Sequence, residues 1–398
     1  MDLQQSYAIS TALIFIVLSL VFFRGRISTL FTLSEHRPEE SPYGSTAQAP
    51  SFSLQRAFAS FRAYPNVVAS EVTSYYSKFN SLRSGHRRVA LELDYPSKIE
   101  ALRKCNAVNS DLTRGICEMA RNEFPELTSM NTKSLPIDIA RVRESLKHLV
   151  RDWSVEGARE RRTIFEPILA QLENIPESER ASCRVLVPGA GLGRLAWEVC
   201  TRGFDTTSCE LSFYMNLSLR FLLSPSHTTT TFQHRVSPYS HWWSHQRSNA
   251  NTFREIEIPD VLPRRQPNWT ILETDFLGLS PPSSPFSDQQ PFVGYDFIVT
   301  LYFIDTASNI ITYLKHIHYL LKPGGKWINL GPLLYSNAVL ELCLEEVLRL
   351  ADMTGFDVES SSRLTVPSEY TADREAMMKW VYQAEFWVAT RRPDQFIL

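Results

Sequence analysis

The chain has 398 residues, enough for two to three domains of about 150 residues each, and its 43% apolar and 21% charged content is ordinary for a globular protein, which excludes global disorder. Lys plus Arg number 41 against 43 Asp plus Glu, so the net charge is −2 and the chain as a whole is not built to bind nucleic acid. Six cysteines with no Cys-x-x-Cys pair are too few for a disulfide scaffold and lack zinc-site spacing, so free thiols in a reducing compartment are expected.

The first element is the uncharged run Tyr7 to Phe23, YAISTALIFIVLSLVFF. Its 17 residues stand at the lower limit for a membrane-spanning helix. A cleaved signal peptide is the alternative. Against it, no Lys or Arg precedes the run, the run is longer than a usual signal core, and no A-x-A site follows closely. Residues 1–26 are therefore expected to form an uncleaved transmembrane anchor. Arg24 and Arg26 follow the run while Asp2 alone precedes it, so the positive-inside rule places the remainder in the cytosol. Residues 27–54, rich in Ser, Pro, Thr and Glu without a sustained period, predict a flexible tether.

Residues 55–175 predict a helical region. Ala57 to Asn80, Pro96 to Phe124 and Ile137 to Ile175 carry apolar residues at mixed three and four spacing, the last broken near Gly157 and Pro167. Residues 176–398 then alternate strands and helices. Arg184 to Pro188 is a short β-rich run, followed by Gly189-Ala-Gly-Leu-Gly-Arg194 and a helix over Leu195 to Arg202. Thr206 to Cys209 runs into Glu210, Trp269 to Leu272 leads to Asp275 and Phe276, and Tyr295 to Leu301 is a fourth strand. A helix from Ser308 to Leu321 stops at Lys322-Pro-Gly-Gly325, and Lys326 to Leu330 is a fifth strand. This alternation predicts an α/β fold with a parallel, Rossmann-like sheet, and ligands of such sheets bind beyond the carboxyl ends of the strands.

The candidate site residues cluster there. Gly189 opens a loop whose glycines tolerate positive φ and let a ligand approach the backbone, though a tight strand-to-helix turn alone would also need them. Glu210, about twenty residues on, can accept from both hydroxyls of a ribose. The dinucleotide fingerprint requires a glycine where Arg194 stands, which disfavours a nicotinamide oxidoreductase. Asp275 and Phe276 suit an adenine, the carboxylate for the exocyclic amine and the ring for the base. The Leu-Lys-Pro-Gly-Gly turn before the fifth strand is frequent in class I methyltransferases. S-adenosylmethionine is the expected cofactor.

VLVPGAGLGRLAWEV, the Glu210-Leu-Ser-Phe213 segment, FIDTASN at 303–309, LKPGGKWINLGPLLY at 321–335, SEYTADREAMMKWVYQAEFWV near the C-terminus and LVRDWSVEGARERRTIFEPI at 149–168 together resemble the N2227-like family, carnosine N-methyltransferase. The similarity runs from about residue 55 to the end, outside the apolar run. The resemblance implies a class I S-adenosylmethionine-dependent N-methyltransferase acting on a histidine-containing dipeptide. It implies cofactor contacts at His148, where the family usually has Gln, and at Arg151, Gly189, Glu210, Asp275 and Phe276. It implies substrate contacts at Asp305, Tyr370 and Tyr382, with Asp305 catalytic, and at Ser336, where the family has a His.

The chemistry suits those residues. An imidazole of pKa about 6.5 is mostly neutral at cytosolic pH and already has a nucleophilic lone pair. The enzyme must fix the ring and its tautomer, and a carboxylate accepting the other ring N–H does both while favouring the imidazolium formed. Asp305, just past the fourth strand, is placed for this, with a helix N-cap as its plain alternative. Half-buried packing is the plain alternative for both tyrosines, and a solvated helix charge for Arg151. His234, His241 and His245 lack a partner carboxylate and are not expected to hold a metal. Met377 and Met378 are expected in the core, and Arg159-Glu160-Arg161-Arg162 on a solvated helix face. Methylation of another peptide or protein histidine, and a non-catalytic S-adenosylmethionine-binding scaffold at a membrane, stand as alternatives. The oligomeric state stays open, a homodimer included.

Overall fold

The computed structural model describes residues 50–282, 294–336 and 338–393. The expected anchor at 7–23 and nearly all of the expected tether lie outside the described residues. Among the described residues no helix is long and apolar enough to cross a membrane. The last tether residues are docked: Phe52 accepts through its carbonyl from the N–H of Phe213, and the Arg141 guanidinium lies 4.2 Å from the centroid of its ring.

The chain begins with a helical layer. Helix α1 (Leu54–Asn80) starts at Ser53, whose Oγ accepts from the N–H of Arg56. Helix α2 (Ser84–Glu92) buries none of its residues. Helix α3 (Tyr95–Glu123) packs along α1. Helix α4 (Ile139–Trp153) is capped by Asp138, whose carboxylate accepts from Arg141 N–H at 3.1 Å. Helix α5 (Ala158–Glu173) completes the layer. The break near Gly157 therefore separates two helices, whereas Pro167 lies inside α5.

The sheet follows. Its elements are β1 (Arg184–Pro188), α6 (Arg194–Thr201), β2 (Asp205–Cys209), α7 (Phe213–Leu223), a separate antiparallel pair β3 (His234–Val236) and β4 (Ile256–Ile258), then β5 (Trp269–Leu272), β6 (Tyr295–Leu301), α8 (Ile310–Leu320), β7 (Leu321–Gly331), α9 (Leu344–Met353), β8 (Phe356–Val358), β9 (Leu364–Ser368) and β10 (Tyr382–Arg391). The strand order is β5-β2-β1-β6-β7-β10-β8, with β9 also paired to β10. The first five strands run parallel, and β10 is antiparallel to β7. Counting strands of this sheet only, the order is third, second, first, fourth, fifth, last, with β8 outermost. The order reverses between β1 and β6, the switch point at which open α/β sheets bind ligands.

One expectation needs correction here. Lys322–Gly325 does not separate a helix from a strand. Strand β7 already begins at Leu321, and the four residues bulge out between the pairs Tyr295–Leu321 and Phe297–Lys326. Pro323 has no N–H for the ladder and Gly324 has φ +74°, so the segment cannot pair regularly. The strands β8 to β10 were not expected; the middle of β10 is buried on both faces, which erases the alternation that marks a strand.

One continuous core runs from Leu54 of α1 through Trp153 and β1 to Val388 of β10, so the helical layer and the sheet share it. Trp153 is fully buried, and its indole N–H donates to the carbonyl of Leu192 at 2.9 Å. That bond ties the end of α4 to the glycine loop. Truncating such a side chain to Ala costs about 3–5 kcal/mol.

Candidate active site

The loop after β1 is a cradle. Gly189, Gly191 and Gly193 all have positive φ, at +62°, +56° and +71°. A Cβ on Gly189 would come within 2.4 Å of the Phe303 ring, so that position admits glycine alone. A Cβ on Gly191 would meet one neighbour, the guanidinium of Arg151 at 3.8 Å, so open space adjoins that loop residue. Glu210 closes the other side. Its Oε2 accepts from Gly191 N–H and its Oε1 from Ser212 N–H, each at 2.8 Å. Burial raises its pKa, and these backbone N–H groups oppose the shift. A carboxylate has about four lone-pair sites, so Glu210 both holds the loop and retains capacity to accept from a ribose.

Helix α4 supplies one inward stripe. Glu144, His148 and Arg151 follow at i, i+4 and i+7 and so share a face. Arg151 is 8% exposed, not a solvated charge, and is gripped side-on by Asp152, Nε to Oδ1 at 2.7 Å and Nη2 to Oδ2 at 3.0 Å. Its guanidinium also lies 5.2 Å from the Tyr370 ring centroid. His148 is buried, and burial with neighbouring Arg151 and Lys147 holds its pKa well below the usual histidine range, so its ring is neutral. Its Nε2 lies 3.2 Å from the Tyr370 hydroxyl, while its Nδ1 is buried without a hydrogen-bond partner.

Asp305 follows β6 after a sharp turn at Tyr302, whose φ is +50° and whose N–H donates to Leu330 O. Asp305 does not cap α8: Asn309 does, accepting from Ile311 N–H. Instead Oδ2 of Asp305 accepts from Leu334 N–H at 2.9 Å, and burial pushes the carboxyl up to about 6. Ser336 lies two residues beyond Leu334 and is exposed. Tyr382 begins β10 half-buried, its pKa raised by burial and by Asp305 and Glu144. The Tyr302 ring packs between the two tyrosines, 4.8 Å from Tyr370 and 6.1 Å from Tyr382, and its hydroxyl meets Ser368 Oγ at 2.5 Å.

Asp275 lies past β5 with its carboxylate exposed and Oδ1 accepting from Leu277 N–H. The Phe276 ring departs from expectation. It is 4% exposed and packed edge-on against Phe303, Tyr313 and His316, so it lines the core behind the site instead of offering a face.

Several participants were missed. Asp152, Tyr302, Glu144 and Glu160 all face this cluster; the α4 spacing was a signal for Glu144, and for the rest the linear sequence held none. The run at 159–162 is only half solvated. Arg159 and Arg162 are exposed, but Arg161 is buried and donates to the carbonyls of Arg151 and Ser154 and to Asp260. Glu160 Oε1 accepts from Thr371 N–H at 2.9 Å, and burial pushes Glu160 up to about 7. Met377 is 63% exposed, not core, because segment 369–381 is an irregular strap laid over the site.

Strand order, glycine cradle and strand-end acid define a Rossmann-like S-adenosylmethionine-dependent methyltransferase. The sequence profile of carnosine N-methyltransferase matches residues 128–393. Carnosine N-methyltransferase of Mus musculus is 32% identical over 84% of this chain and 84% of its own length. That of Schizosaccharomyces pombe is 31% identical over 83% and 93%, and that of Dictyostelium discoideum 32% over 74% and 67%. The chain belongs to the carnosine N-methyltransferase family. A solved magnesium protoporphyrin IX methyltransferase from Synechocystis covers 62% of this chain at 11% identity and a TM-score of 0.34, a likeness too loose to add to the strand order.

Proposed function

We propose that this protein transfers a methyl group from S-adenosylmethionine to the imidazole of a histidine-containing dipeptide of the carnosine type. The observation that carries the reading is Asp305: a buried carboxylate at the ligand end of the sheet, with one oxygen held by Leu334 N–H. The cofactor residues fit the donor. Gly191 leaves open space beside the loop, Glu210 retains acceptor capacity for the ribose, and Asp275 is exposed for the adenine amine. The Tyr370 hydroxyl and Nε2 of neutral His148 share one hydrogen bond; in the tautomer in which the hydroxyl donates, the ring proton sits on the unpartnered Nδ1, a donor for the methionine carboxylate next to Arg151. Bound S-adenosylmethionine supplies an electrophilic methyl group.

The rest falls to this chain's side chains. Asp305 accepts the N–H of the substrate ring, which fixes the tautomer and leaves the other nitrogen's lone pair free. Its charge favours the imidazolium as it forms. Tyr382 and Tyr302 flank the ring and exclude water. Ser336, in place of the family's His, favours a second reading in which the imidazole belongs to another small peptide. A methylation assay with radiolabelled donor over histidine-containing dipeptides, longer peptides and cell extract tests both. Turnover of carnosine is expected, and absence of methylation on every imidazole would overturn the proposal.

We further propose that residues 7–23 anchor the enzyme in a membrane with its catalytic part in the cytosol, supported by the uncharged run and by Arg24 and Arg26 after it. Protease added to sealed right-side-out microsomes should digest residues 55–398. Full protection of that region would reject the orientation.

A further inference from the structure

We propose that Glu144 is the counter-charge for the amino terminus of the substrate, so that the site selects imidazole dipeptides bearing a free ammonium group. The inference rests on the dipeptide reading above and adds a second recognition point to it. Glu144 lies on the α4 stripe that carries His148 and Arg151. Arg151 abuts the glycine loop, His148 contacts Tyr370 one turn back, and Glu144 follows one further turn out, about 10 Å along the helix from Arg151.

At that position the carboxylate is accessible and weakly engaged. Its side chain is 40% exposed. Oε1 accepts from Thr371 Oγ1 at 3.3 Å and lies 3.7 Å from Nε2 of the neutral His148, while Oε2 lies 3.5 Å from Lys147 Nζ. The neighbouring charges are already committed. Arg151 is paired side-on with Asp152, and Glu160 is held by the Thr371 N–H. Glu144 acts electrostatically on Tyr370 and on Tyr382, and Asp305 acts on Tyr382 too. The rings of Tyr370, Tyr302 and Tyr382 follow one another at 4.8 and 6.1 Å, which links the α4 stripe to the start of β10. Of the two carboxylates, Asp305 is the one buried at the strand end, and Glu144 the one open to solvent. A carnosine-type dipeptide has a ring N–H at one end and a primary ammonium at the other, and the two carboxylates match that order.

The test uses the full chain, labelled methyl donor, carnosine and carnosine acetylated on its amine. For the native enzyme, acetylation should raise KM on the order of tenfold, the effect of one solvent-accessible charge-assisted contact. Glu144→Gln should raise KM for free carnosine by a similar factor with kcat held, and acetylation should then add little, because both changes remove one contact. Donor affinity by calorimetry should be the same in both proteins, which reports an intact fold. If the two effects multiply independently, or if Glu144→Gln leaves KM for carnosine unchanged, the assignment is overturned while the dipeptide reading stands. If the native enzyme methylates neither dipeptide, both are overturned.

Discussion

The hydroxyl of Tyr370 and Nε2 of His148 are 3.2 Å apart, a contact between residues 222 positions apart in sequence that joins the strap to helix α4. It leaves Nδ1 of a neutral, buried imidazole as the one unpartnered ring nitrogen of His148. His148→Leu, which removes both nitrogens, should weaken S-adenosylmethionine binding by about 1–1.5 kcal/mol. His148→Gln, the residue usual in the family, should retain affinity within a few fold. Calorimetric titration with the donor compares the two, and equal binding by the Leu variant would refute a cofactor role.

Glu210 holds the glycine loop and is proposed to bind the ribose, and its replacement should reveal both. Glu210→Ala should lower donor affinity by about 1.5–3 kcal/mol, the worth of hydrogen bonds to a charged group. It should also lower the melting temperature of the free protein, because Gly191 and Ser212 lose their acceptor. Undiminished donor affinity would dismiss the ribose assignment.

Asp305→Asn should reduce turnover on the order of 10²-fold with donor affinity nearly intact, since the amide accepts a hydrogen bond but lacks the charge. The pH profile carries the sign. Asp305 must be ionised to act, and burial puts its pKa at about 6, so native kcat/KM should fall below that pH. The Asn variant should keep only the ionisation of the substrate imidazole. Identical acid limbs in the two profiles would exclude Asp305 as the titrating group.

Ser336 is exposed two residues past Leu334, the residue that holds Asp305. Ser336→His restores the family's residue and should raise kcat/KM on carnosine several-fold. No change would mean that the departure is neutral and that carnosine suits the chain as it stands.

Glu160 is expected to make stability depend on pH. Its pKa is raised to about 7 in the folded state, so between about pH 4.5 and 7 the native protein holds more protons than the unfolded chain. This contribution therefore falls as pH rises through that window, and the full penalty applies above it. Glu160→Gln keeps an acceptor for Thr371 N–H and removes the penalty, a gain of about 3 kcal/mol at pH 8 and little at pH 4.5. Urea unfolding at both pH values measures the difference, and a gain independent of pH would contradict the account.

Much of this was legible in one dimension because it depends on neighbours in sequence. The glycines after β1 must take positive φ to turn from strand to helix, and their spacing shows it. Glu210, Asp275 and Asp305 each follow a strand closely, and the ends of parallel strands are where ligands bind. Helix existence over α1, α3, α4 and α5 followed from apolar periodicity. What the tertiary structure alone decided depends on contacts across long separations. Arg161 and Glu160 look solvated in a charged run, yet Asp260 and Thr371 meet them from elsewhere in the chain. Phe276 looks like a base platform, yet Phe303, Tyr313 and His316 enclose it. Strand β10 hides its pairing because neighbours cover both its faces and erase the alternation. A residue's local pattern records which way its backbone turns, but what its side chain meets is set by segments that folding alone brings to it.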